Sequence, residues 1–159
     1  MSYVYLASPY THKDESVMEM RYNEMVNVVK TCLEFRLPVY SPIVHWHMPS
    51  ITMGPDRPID FEAFQIQDIA LITGCYEFWV ITLPGWEHSK GCNEEMKFAA
   101  GIGKTTRLAN LDALQHLCIY TRKGLEKQLS SLSEKLLEKM KSGRDYHSLV
   151  TPEKSKTDS

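Results

Sequence analysis

The chain has 159 residues, 43% of them hydrophobic, and a net charge of −2, which suits one domain with a sizeable core and provides no basic field for nucleic acid. No apolar run reaches bilayer length and the opening MSYVYLASPY lacks the pattern of a signal peptide, so a cytoplasmic protein without membrane attachment is expected. Cys32, Cys75, Cys92 and Cys118 are scattered with no C-x-x-C pair, which argues for free thiols rather than a zinc or redox motif.

Residues 3–7 (YVYLA) form a short apolar run closed by Ser8-Pro9, and read as a first buried strand. A helix is predicted from Ser16 to Arg36, with Ser16 and Glu19 at capping-box spacing and Tyr22, Met25, Val29 and Leu33 as its apolar stripe. Residues 38–43 (PVYSPI) read as a second strand. The stretch from His45 to Asp60 is rich in Pro, Gly, His and Met and shows no period; a long loop is expected there, of the kind that often carries function. A second helix is predicted from Asp60 to Thr73, with Phe61, Phe64, Asp68 and Leu71 on one side.

The continuously apolar FWVITL at 78–83 is the pattern of a strand buried on both faces, as in a parallel sheet. A third helix is predicted over Lys90 to Ile102, and a weaker strand at 105–109 (TTRLA). Alternating strands and helices point to an open α/β sheet with right-handed crossovers. Ligands in such sheets bind beyond the carboxyl ends of the strands, so the loops after Ala7, Ile43 and Leu83 are expected to line a site. The domain is expected to occupy 1–110 and a helical extension 111–150, where Leu125, Leu129, Leu132 and Leu136 form an amphipathic stripe. The polar tail 151–159 reads as disordered.

One residue stands out within the third helix. Phe98, Ala99 and Ile102 mark its apolar stripe, and helical steps back from them reach Glu95 and Gly91, while Glu94 and Lys97 fall outside. A carboxylate on that side is costly unless paired or used, and desolvation raises its pKa. A salt-bridged glutamate near a helix start is the bland alternative. Other candidates are more ambiguous. His45 and His47 stand where the site should open, but two spaced histidines are thin evidence for a metal. Contact with a ligand and a structural role are equal readings for them, as for Tyr10, His12 and Trp86. GIGKTT at 101–106 resembles the end of a P-loop, yet Phe98 stands where a glycine is required and a helix precedes it. Gly101 and Gly103 read better as a helix stop.

The opening V-Y-L-A-S-P-Y, the strand FWVITLPGW and the pattern Ser89, Gly91, Glu95, Ala99 (S-x-G-x-x-x-E-x-x-x-A) together resemble the nucleoside 2-deoxyribosyltransferase superfamily over roughly Tyr3 to Leu108. SPYTH, YSPIVHWH and LPGWEHSKG are most similar to a bacterial and phage branch of it, and the serine motif resembles that of 2′-deoxynucleoside 5′-monophosphate N-hydrolases. The resemblance implies a Rossmann/flavodoxin-like three-layer sandwich, here with a C-terminal amphipathic helix. It implies that Glu95 attacks the anomeric carbon and that Tyr5 orients it. Ser89, six residues before the glutamate, would face the sugar's 5′ end and favour a phosphate there, helped by Lys90 and the helix N-terminus. Ser8, Tyr10, His45, Trp86 and Gly91 complete the expected substrate-binding set. The family often carries an aspartate just before the third strand; Tyr76 stands at that position, and the adjacent Glu77 should face the other side of the sheet.

The expected activity is cleavage of an N-glycosidic bond in a (deoxy)nucleoside or its 5′-monophosphate through a glycosyl-enzyme ester, with hydrolysis favoured over base exchange. No metal and no cofactor are expected. The rivals are a non-catalytic nucleotide-binding module, favoured by Tyr76, and an NTPase dependent on Lys104. The ligand should be a small nucleoside or nucleotide, and the resemblance implies a homo-oligomer.

Overall fold

The computed structural model describes residues 3–53 and 61–141. Strands β1 (Val4–Ala7), β2 (Val39–Tyr40), β3 (Glu77–Ile81) and β4 (Thr105–Ala109) form one parallel sheet in the order β2-β1-β3-β4. The helices are α1 (Glu15–Glu34), α2 (Pro42–Met53), α3 (Phe61–Gly74), α4 (Lys90–Gly101) and α5 (Leu114–Lys141). This is the open parallel α/β sandwich anticipated from the alternation of elements.

The period-two geometry of β1 and β3 builds both faces of the core. Val4, Leu6, Trp79 and Ile81 pack on one face with Met25, Val28 and Cys32 of α1 and Leu114 and Cys118 of α5. Tyr5, Ala7, Phe78 and Val80 pack on the other with Ile72 of α3 and Ala99 of α4. Each large apolar side chain so buried contributes about 1.5–3 kcal/mol relative to exposure.

Several local expectations need correction. Helix α1 is capped by Asp14, whose Oδ1 accepts from Ser16 N at 2.9 Å, rather than by Ser16. Its buried stripe is Met25, Val28 and Cys32; Leu33 is 63% exposed. The stripe is therefore turned by about one residue from that predicted. The second strand stops at Tyr40, and α2 begins where the second half of that strand and the following loop were expected. Ser41 explains it: its carbonyl accepts from His45 N at 3.0 Å and its Oγ from Val44 N at 3.4 Å. Pro42 then takes the first helical position, where its missing N–H is harmless. The rest of the expected loop, 54–60, lies outside the described residues, as does the tail 151–159.

The P-loop reading fails on position. Lys104 precedes β4, and its Nζ donates to the Cys75 carbonyl at 2.7 Å. Gly103 has φ +74 just past α4, as a helix stop requires. All four cysteines are free and buried.

The chain divides into two compact units, Met1–Lys123 and Gly124–Ser159. In the second, residues 124–141 are helical. Leu125 is buried, Leu129 and Leu132 are each 48% exposed, and the Leu136 side chain lies outside the described part. Among the described residues no helix is long and apolar enough to cross a membrane.

Glu77, at the start of β3, is a buried carboxylate with full pairing. Arg107 grips it through Nε (2.7 Å to Oε2) and Nη2 (2.9 Å to Oε1), and Trp79 Nε1 donates at 2.9 Å. Burial pushes the carboxyl up, but these bonds more than offset it and hold it below its ordinary value. Leaving Arg107 without its partner should cost about 3 kcal/mol. Urea unfolding of Glu77→Ala is expected to show that loss, whereas Glu94→Ala, which removes the exposed pair with Lys90, should stay within about 0.5 kcal/mol. Equal losses would mean that the buried pair contributes no more than a surface one.

Candidate functional site

Strands β1 and β3 are neighbours, and their crossovers leave toward opposite faces: α1 packs on one, α4 on the other. A crevice must open beyond their carboxyl ends. It is a cavity of about 840 Å³, walled by the loop after β1, the first two turns of α1, helices α2 and α3, and the start of α4.

Arg21 fixes the two loops that frame it. Its Nη1 donates to the carbonyls of Tyr10 (3.2 Å) and Thr11 (3.1 Å), and its Nη2 to that of Pro84 (3.2 Å). The chain turns beside it at Gly85, whose φ is +86; a Cβ there would lie 3.3 Å from Nη2. Glycine is needed for the turn and for this approach. After one 3-10 turn (Trp86–His88), Ser89 caps α4, its Oγ accepting from Cys92 N at 3.4 Å. Its hydroxyl also bonds the Cys92 side chain.

On the cavity floor Tyr5 donates its hydroxyl to Glu95 Oε1 at 3.2 Å. Asp68 of α3 faces the same hydroxyl, and its Oδ1 is buried without a partner among the described residues. Burial raises the Glu95 carboxyl, the Asp68 charge raises it further, and the Tyr5 bond lowers it; the result is about 8. Burial also raises Asp68, with Tyr5 opposing. Tyr5 itself is driven far above the usual phenol range, first by burial and then by the two carboxyls, and so stays an O–H donor. Among the described residues no cation bonds to either carboxyl. Two carboxyls around one hydroxyl, so placed, share a proton near neutrality. Such a pair can present one ionised and one protonated oxygen to a ligand. The neighbouring Cys92 is a poorer nucleophile, since burial lifts its thiol to about 11.

The structure gathers Glu95, Ser8, Tyr10, His12, Ser89, Lys90 and Gly91 around the cavity, with Tyr5 beneath. Ser8 Oγ is buried and unpartnered, and a Cβ on Gly91 would meet nothing within 4 Å. Two expected residues are elsewhere. His45 is exposed on α2 and contacts Tyr40 and Trp46 outside the cavity lining; His47 lines it instead. Trp86 packs against the core cluster of Tyr5 and Phe78 rather than over the opening. Tyr76 does not line the cavity, and Glu77 is engaged with Arg107. Asp68, Arg21, Trp46 and Phe64 were not singled out as site residues. For Asp68 the signal was present, a carboxylate on an otherwise apolar helix side. Among the described residues no group of His, Cys, Asp and Glu is arranged to hold a metal.

The raised Glu95 carboxyl has a consequence for stability. Folding lifts it from the ordinary 4.5 to about 8, so its stabilising protonated form is present below pH 4.5 and lost as pH rises through about 8. Glu95→Gln removes the penalty of the charged form. At pH 9 the variant should be the more stable by on the order of 4 kcal/mol, and at pH 4 the two should be equal. Thermal unfolding at both pH values tests this; a pH-independent difference contradicts it.

No curated protein matches the sequence. A family model does, over residues 2–110, which include every strand and the whole Tyr5, Asp68, Glu95 cluster. The chain belongs to the family described as Domain of unknown function (DUF1937).

Proposed function

We propose that this protein cleaves the N-glycosidic bond of a nucleoside 5′-monophosphate, with Glu95 as nucleophile and Asp68 as proton donor. The observation that carries the reading is the cluster of Glu95, Asp68 and Tyr5, with no cation bonded to it among the described residues, on the floor of a cavity sized for a small ligand. The resemblance to the nucleoside 2-deoxyribosyltransferase superfamily supports it. With the shared proton on Asp68, ionised Glu95 attacks C1′ as the C1′–N bond breaks, and the bond's electron pair leaves with the base, which takes that proton. Tyr5 holds the attacking carboxylate in place. The resulting ester is opened by water at C1′, with Asp68 now accepting the water proton, and both carboxyls return to their starting states. Base exchange would follow the same course with a second base in the place of water.

Ser89 supports a phosphate. Its hydroxyl and the N-terminus of α4 lie on the cavity wall, where a dianion is welcome. With Asp68 on the floor, Tyr76 at the family's usual aspartate position no longer favours a non-catalytic module.

Chromatography of free bases released from a panel of nucleosides and 5′-monophosphates tests the proposal. Glu95→Gln should abolish release and Asp68→Asn should lower kcat by about 100-fold or more. The wild-type rate should fall above pH 8, where the shared proton is lost. Ser89→Asp keeps a competent cap and should weaken monophosphates more than nucleosides. Near-wild-type turnover by Glu95→Gln would refute the mechanism.

The proposal includes a homo-oligomer. Met48 and Ile51 on α2 and Ile66 and Ile69 on α3 are 48–64% exposed, an apolar surface beyond what a monomer needs. Light scattering at micromolar concentration should give a multiple of 18.3 kDa; a clean monomer contradicts it.

A further inference from the structure

The α2 side of the cavity contains a relay that the proposed chemistry does not use. His47 is 4% exposed and its ring stacks on Tyr22 at 3.8 Å with an 8° tilt. Its Nε2 lies 3.2 Å from Glu19 Oε2, and its Nδ1 lies 2.8 Å from the Tyr10 hydroxyl. Asn23 steadies the other Glu19 oxygen at 3.4 Å. A carboxylate only accepts, so Glu19 requires the His47 proton on Nε2. With the ring singly protonated the lone pair is on Nδ1, and Tyr10 donates to it at 2.8 Å. Ser50 stands beside the same phenol, and its own proton goes to the His47 carbonyl at 2.8 Å. The Tyr10 proton is thus committed to the protein, and what its oxygen offers the cavity is an acceptor.

The position suits a nucleobase. Trp46 of α2 and Phe64 of α3 line the same cavity, ring centroids 5.4 Å apart. Resting on the function proposed above, the geometry points to Tyr10 as the residue that reads the base: it selects bases whose edge carries an amino group over their keto counterparts. An amino group donates to the phenol oxygen. A keto group in its place sets acceptor against acceptor and leaves both unpaired, and a site built this way discriminates strongly.

Calorimetry on the catalytically silent Glu95→Gln protein tests the inference with two matched pairs. These are deoxyadenosine against deoxyinosine 5′-monophosphate and deoxycytidine against deoxyuridine 5′-monophosphate. In whichever pair binds, the amino member should bind at least about tenfold more tightly. Adding Tyr10→Phe should bring the two members within about threefold, chiefly by weakening the amino one. A purely structural Tyr10 would weaken both equally, which overturns the inference. Equal binding of the two members before that substitution, or preference for the keto member, also overturns it while leaving the N-glycosidase reading intact. Failure of all four ligands to bind overturns both.

Discussion

Glu77 is buried and Glu95 half-buried in this domain, and the difference in how the two carboxyls are neutralised organises the rest. Glu77 is held by a bidentate guanidinium and an indole N–H, and its carboxyl is held below the ordinary range. Glu95 has one phenol and a second carboxyl for company, and is raised to about 8. Among the described residues the fold gives a cation to one acid and none to the other, so that ionising the second is destabilising. Such charges concentrate where chemistry needs a group poised near neutrality.

The parallel sheet makes the separation possible. Glu77 opens β3 on the face shared with Trp79, at the amino end of the strands. Tyr5, one position along the neighbouring β1, turns to the opposite face and reaches Glu95 across to α4. Alternation along two adjacent strands therefore keeps Arg107 away from the pair it would otherwise neutralise. A cation beside Glu95 or Asp68 would favour ionisation of both and remove the proton that the proposed reaction gives to a departing base.

Much of this was legible in the sequence, and the parts that were not fail for physical reasons. The FWVITL run allowed only a strand covered on both sides, and that fixed the parallel sheet and the end at which a site must open. Glu95 was legible through its place one turn before Ala99, which is buried; Ile102, the other end of the expected stripe, is 43% exposed where the helix ends. Asp68 likewise stood on an apolar helix side, but its partners come from β1 and α4, and a helix read alone does not name them. His45 and His47 exchanged importance because α2 is a helix. Two residues apart on a helix is about 200° of rotation, so the ring that reaches the cavity and the ring that faces away are set by the Ser41-Pro42 start. Composition rich in Pro, Met and His concealed that start.

The walls of the cavity divide the labour that the floor leaves open. Arg21 ties the loop after β1 to the loop after β3 through three carbonyls, so the residues above and beside Glu95 are fixed together and not independently. The free amides at the start of α4 favour negative charge. Aromatic rings and an oriented phenol lining the same cavity favour a flat heterocycle with a donor on its edge. In the proposed reaction a ligand with an anion at one end and a base at the other would span Glu95 with its sugar over the carboxyls, and binding energy from both ends would hold C1′ against the nucleophile, the step that a reluctant carboxylate would otherwise perform poorly.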